Sequence, residues 1–170
     1  QRRKNLSKKI SSSFESPDFN IKYIYFPLHF EPERTTNPDG GDYQDQFLAL
    51  LKLRNMIPEN IFIYIKEHPS SYLMSESAVK GRSPLFYDLI KNIKNIKIIS
   101  IDIDSKYLIK NSHMVATISG SVALEASLLM KKAIVLGNTW YEEFPNTFNI
   151  KKWDNYELIF KEKVRGVNEI

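Results

Sequence analysis

Apolar residues along the chain fall into two alternating patterns. Short, nearly unbroken runs occur at Tyr23-Ile24-Tyr25-Phe26, Ile61-Phe62-Ile63-Tyr64-Ile65, Ile96-Lys97-Ile98-Ile99, Val115-Ala116-Thr117-Ile118 and Ala133-Ile134-Val135-Leu136. They are rich in β-branched and aromatic side chains, and Pro, Gly or polar residues bound them, so they read as buried strands. Between them apolar positions recur at three and four residues, the period of a helix face. Asp42 is placed to cap a helix carrying Tyr43, Phe47, Leu50 and Leu51. Ser83-Pro84 opens another, with Leu85, Phe86, Leu89, Ile90 and Ile93 on its buried face. A short helix near Ser105 carries Leu108 and Ile109, with Asp102 and Asp104 before it as caps. One more helix follows Ser121, and a last contains Tyr156, Ile159, Phe160 and Val164.

Strands that are apolar throughout and alternate with helices predict an α/β fold. The expected form is a single Rossmann-like domain, a mostly parallel sheet of about five strands with helices on both faces. Residues 1–20 are polar, with Arg2, Arg3, Lys4, Lys8 and Lys9 and a Ser11-Ser12-Ser13 run, and read as a basic linker before a domain at 21–170. A 3-2-1-4-5 strand order puts the first and fourth strands side by side, and ligands bind at the carboxyl ends of the strands there. Three segments would then border one crevice: the loop from Leu28 to Gly41, Lys66-Glu67-His68-Pro69, and Ser119-Gly120-Ser121.

Composition narrows the partners. The 170 residues carry a net charge of +4 and no Cys, which excludes disulfides and thiolate metal sites. No apolar run approaches the ~20 residues of a membrane span. The basic cluster at the N-terminus suits an anionic surface as well as solvent. A solvated linker is expected, and no nucleic-acid partner, because Lys elsewhere lacks the interleaved aromatics of a single-strand binder. His29, His68 and His113 share no ligand spacing, so no metal is expected. The chain begins at Gln1 without a Met and is expected to be a fragment or a processed chain.

The candidate chemistry lies in the three loops. A strand that passes through small residues into a helix leaves backbone N–H groups for an anion. Ser119, Gly120 and Ser121 therefore read either as a phosphate site or as an ordinary helix start. Glu125, one turn on, could accept from ribose hydroxyls or lie on the surface favoured by the helix dipole. His68, held extended by Pro69, could donate to a phosphate or protonate a leaving group, or bond the backbone in a turn. Lys66 beside it could neutralise a phosphate. In the long first loop, His29, Glu31, Glu33 and Arg34 are candidate substrate contacts: the carboxylates for sugar hydroxyls, the guanidinium for an anion.

Several of these segments together resemble the capsule polysaccharide synthesis protein family. They are Tyr25-Phe26-Pro27-Leu28-His29-Phe30-Glu31-Pro32-Glu33, Gly40-Gly41 with Asp45-Gln46, Lys66-Glu67-His68-Pro69, Ile118 to Ala126, and Gly137-Asn138-Thr139-Trp140-Tyr141. Some members resemble Kdo transferases, which use a CMP-activated sugar. Bacterial sialyltransferases share a His-Pro motif at the donor's cytidine phosphate, which implies that role for His68 and Pro69. In GT-B sugar enzymes, including UDP-sugar 2-epimerases, small residues hold phosphate and a Glu holds ribose, which implies Ser119, Gly120, Ser121 and Glu125.

The resemblance implies the C-terminal, donor-binding half of a GT-B glycosyltransferase for capsule or surface polysaccharide, with an N-terminal acceptor half elsewhere. His68 is the expected catalytic group. No cofactor is expected beyond a nucleotide-sugar donor, CMP-linked in preference to UDP-linked. The acceptor would be a glycan or lipid-linked glycan, in the cytoplasm or peripherally at the inner membrane. The alternatives are a UDP-sugar epimerase-like or glycerol-phosphate transferase domain, and a non-catalytic module that binds glycan or protein.

Overall fold

The computed structural model describes residues 8–31, 36–73 and 82–166. Seven strands form one sheet among these residues, β1 Phe14–Glu15, β2 Tyr23–Pro27, β3 Phe62–Lys66, β4 Ile96–Ile99, β5 Met114–Thr117, β6 Ala133–Val135 and β7 Thr147–Asn149. The order is β1-β4-β3-β2-β5-β6-β7, and every pairing is parallel. The five central strands are those expected, in the expected order. The count differs because both edges carry one more. β1 has two residues and β7 three, too short and too polar to register as apolar runs.

Alternation along each central strand feeds two cores, one per face. In β2, Ile24 and Phe26 join one cluster, while Tyr23 and Tyr25 join the other. The first face is covered by helices α1 Gln46–Met56, α3 Leu85–Lys91 and α6 Tyr156–Lys161, which contribute Leu50, Ile90 and Ile159 among others. The second is covered by α4 Ser105–Asn111 and α5 Val122–Leu128 through Leu108, Ile109, Ala123 and Ala126. A one-turn helix, α2 Pro69–Leu73, follows β3 directly. Among the described residues no helix is long and apolar enough to cross a membrane.

Four local expectations change. The cap of α1 is Asp45, whose side chain accepts from the Phe47 N–H at 2.8 Å; Asp42 lies in a 3-10 turn before it. On α3 the buried side is Phe86, Tyr87 and Ile90, while Leu85 and Leu89 face out, because only seven residues are helical and the sheet touches one side. Within the stretch read as a linker, Phe14 pairs with Ile98, and Ile10 is fully buried in the first core. Of the two expected caps for α4, Asp104 accepts from the Tyr107 N–H, and Asp102 instead bonds Ser100.

Candidate functional site

The carboxyl ends of β2, β3 and β5 open into one crevice of about 350 Å³. From the first loop it is lined by His29 and Phe30, from the second by Lys66, His68 and Pro69, and from the third by Gly120, Ser121 and Glu125. Tyr25, Ser105 and Thr117 close it from below. The structure thus brings together His29, His68, Pro69, Gly120, Ser121 and Glu125. Ser119 is half-buried in the same turn but outside the lining. Glu31 faces a neighbouring groove with Phe47 and Arg82 and is bonded there by the Gln46 amide. Glu33 and Arg34 lie outside the described residues.

The turn after β5 is held from two directions. Thr117 Oγ1 accepts the Gly120 N–H at 3.0 Å and lies 3.2 Å from His29 Nε2. The Tyr141 hydroxyl donates to the Gly120 carbonyl at 2.6 Å. A side chain at Gly120 would place its Cβ 2.9 Å from Thr117 Oγ1 and 3.0 Å from His29 Cε1, so any other residue there would push those side chains aside. The Gly120 N–H is therefore already used within the protein. The N–H groups of Ser121 and Val122 come before the first bond of α5, which starts at Ala123.

His68 has a defined tautomer. Its Nδ1 accepts from the Ser70 N–H at 3.2 Å, so the ring proton sits on Nε2. The imidazole thus offers an N–H donor while neutral. His29 differs: burial, then the charges of Arg82 and His68, push its pKa down to about 4. It is a neutral wall residue.

Lys66 supplies positive charge to the floor. Its Nζ donates to the Ile103 carbonyl and, at 3.0 Å, to Ser105 Oγ, which also accepts from the Tyr25 hydroxyl at 3.3 Å. Burial lowers the Lys66 pKa, while Asp104 and Asp102 raise it. Burial also pushes the Tyr25 hydroxyl up to about 12, so it remains a neutral donor. The exposed Glu125 carboxylate also lines the crevice, near enough to Tyr25 to act on its hydroxyl. An arrangement of N–H donors, one ammonium and one carboxylate around a single crevice suits a ligand bearing both phosphate and hydroxyls. Among the described residues no group of three or more His, Asp or Glu is placed to hold a metal ion.

Thr117, Ser105 and Arg82 play parts here that local sequence patterns did not signal. Thr117 sits inside an apolar strand, and Ser105 begins a helix. Arg82 follows a segment with no apolar periodicity. Their partners are 88, 39 and 53 residues away in sequence, so only the fold reveals them.

The family model for capsule polysaccharide biosynthesis proteins matches residues 18–147. No curated protein sequence matches the chain. Among solved structures, the β-Kdo 2,7-transferase of KpsC from Thermosulfurimonas dismutans aligns with a TM-score of 0.58 and 17% identity, covering 88% of this chain and 45% of that one. UDP-GlcNAc 2-epimerase from Methanocaldococcus jannaschii aligns with a TM-score of 0.60 and 21% identity, covering 95% and 44%. The β-Kdo 2,4-transferase of the same KpsC aligns with a TM-score of 0.58 and 16% identity, covering 98% and 52%. The chain therefore spans about half the length of these structures, and it shares their Rossmann-like, GT-B-type fold. The family match runs over the strands and loops that build the crevice, and the chain belongs to the capsule polysaccharide biosynthesis protein family.

Proposed function

We propose that this domain binds the nucleotide of an activated sugar and serves as the donor-binding half of a glycosyltransferase in capsule or surface polysaccharide synthesis. The observation that supports it is the convergence of His68, Gly120, Ser121 and Glu125, from three separate loops, on one crevice. In this reading the donor's phosphate lies against His68 Nε2–H, the Ser121 hydroxyl and the N–H groups that open α5. His68 stabilises charge as it grows on the departing nucleotide, an electrostatic role. Glu125 accepts from the ribose hydroxyls. A CMP-linked donor is favoured over a UDP-linked one, although the M. jannaschii epimerase was solved with UDP-GlcNAc and UDP, which keeps the second base in the test. A second, acceptor-binding half would complete the enzyme and bring a glycan or lipid-linked glycan in the cytoplasm.

Titration of the folded protein with CMP, CDP, UMP and UDP, by calorimetry or NMR, tests this. Saturable binding of one base in preference to the other is expected. His68→Ala and Glu125→Ala should each weaken it by about ten- to a hundredfold, the value of a hydrogen bond to a charged group, without lowering Tm. No binding at millimolar nucleotide would overturn the proposal and favour a non-catalytic module. Preference for UDP, with epimerised product from the complete protein, would favour the epimerase-like alternative.

A further inference from the structure

Beneath the crevice wall lies a buried ionic cluster that makes no contact with the cavity through its arginine. Glu67 is 1% exposed and Arg82 is 7% exposed. Glu67 Oε2 lies 3.2 Å from Arg82 Nε and accepts from the Tyr87 hydroxyl at 2.5 Å. The other oxygen, Oε1, accepts the His68 N–H at 2.9 Å. Arg82 also sends Nη2 to the His29 carbonyl at 2.7 Å and stacks on Phe86, 4.6 Å from the ring centre. Gln46 holds the same His29 backbone from its other side, accepting from its N–H at 2.8 Å and donating to its carbonyl at 3.2 Å.

One guanidinium is therefore joined to both of these crevice loops, whose Phe30 and His68 rings lie 5.9 Å apart. It reaches the His29 loop directly and the His68 loop through Glu67. A buried ion pair is a poor source of stability, since desolvation cancels most of its attraction, and an apolar pair of similar volume would serve a core as well. What the pair supplies is geometry: two loops that share no strand pairing at these residues are fixed to one rigid, planar group.

We infer that Arg82 and Glu67 are positioning residues that set the spacing of the His29 and His68 loops and, through the His68 backbone, its hold on a phosphate-bearing ligand. The inference rests on the nucleotide-binding reading above. The three variants Arg82→Met, Arg82→Lys and Glu67→Gln test it, each read by Tm, by CMP and UDP titration, and by the imidazole ¹⁵N shifts of His68 in the ligand-free protein. Met can still pack on Phe86 but joins nothing to the loops. Arg82→Met should lower nucleotide affinity about tenfold and mix the His68 tautomers as the Ser70 bond to Nδ1 loosens. Arg82→Lys restores the charge but cannot reach both loops, so affinity should stay low. Glu67→Gln, which keeps the shape and an acceptor for the His68 N–H, should show a smaller loss in the same direction. The inference is overturned if Arg82→Lys recovers full affinity, which would make the effect one of charge alone. Unchanged His68 shifts in a folded Arg82→Met protein would also overturn it. A wild-type protein that binds no nucleotide would remove the functional reading instead, and the ligand-free His68 shifts would still decide the positioning role.

Discussion

The Tyr141 hydroxyl donates to the Gly120 carbonyl at 2.6 Å, tying the loop after β6 to the turn after β5. Gly120 is thereby held at both ends of its own residue, its N–H by Thr117 and its carbonyl by Tyr141. Removing the hydroxyl alone, in Tyr141→Phe, should cost about 1 kcal/mol of stability, the net value of one hydrogen bond. It should also weaken nucleotide binding severalfold, because the turn gains freedom that binding must then remove. Urea unfolding and calorimetry on the same samples measure the two effects. Loss of stability with unchanged affinity would show that Tyr141 holds the fold and not the site.

Thr117 and Gly120 should be more sensitive. Thr117 is fully buried, and Thr117→Val keeps its volume while leaving the Gly120 N–H and His29 Nε2 without their shared partner. A loss of about 1–3 kcal/mol is expected for stranding buried polar groups. Gly120→Ala forces contacts under 3.0 Å with Thr117 Oγ1 and should cost a similar amount through strain, about 1–3 kcal/mol. Ser121→Ala, one residue on and exposed, should change stability by no more than about 0.5 kcal/mol yet reduce nucleotide affinity. Equal destabilisation at 120 and 121 would contradict this division.

Stability should fall on mild acidification because of His29. In the folded protein its pKa is about 4, against an ordinary value of 6.5, so between those values the unfolded chain binds a proton that the folded one does not. The contribution is fully present above about pH 6.5 and is lost as the pH drops through that window toward 4, by up to about 3 kcal/mol. His113, also lowered by burial, acts in the same direction. Denaturant unfolding from pH 7.5 to 4.5 should show this slope, and His29→Gln should flatten it. An identical slope in that variant would assign the acid sensitivity elsewhere.

Ile10 tests where the domain begins. It is fully buried with Leu50, Ile90 and Ile98 in the first core, although the surrounding sequence is Lys- and Ser-rich. Ile10→Ala should cost about 2–5 kcal/mol, as for other large-to-small core changes. A change within experimental error would mean that residues 8–15 do behave as a linker.

The five central strands were legible because each is a dense apolar run between Pro, Gly or polar residues, and a parallel sheet buries both faces of every strand. The three site loops followed from them, since ligand loops sit at strand ends. β1 and β7 were not legible, being two and three residues at sheet edges, where part of the backbone faces outward. The cap of α1 was misread by three positions because Asp42 and Asp45 both precede the same apolar spacing, and only backbone geometry separates them. The bonds that hold the site were hidden for another reason. Thr117 and Arg82 each reach His29, 88 and 53 residues away, and no local pattern encodes such a partner.

The pairing of β2 with β5 assembles the crevice from two distant parts of the chain. His29 and Thr117 stand 88 residues apart, and they meet only once the two strands lie side by side. A chain with only its first half folded has no crevice. Under the proposed function, nucleotide binding is therefore coupled to the pairing of β2 with β5, and a saturating nucleotide should raise the stability of the cooperatively folded domain by about 2.7 kcal/mol at a hundred times its Kd. Hydrogen exchange in core strands far from the cavity would then slow along with that in the loops, and the domain would respond to a bound nucleotide as one cooperative unit.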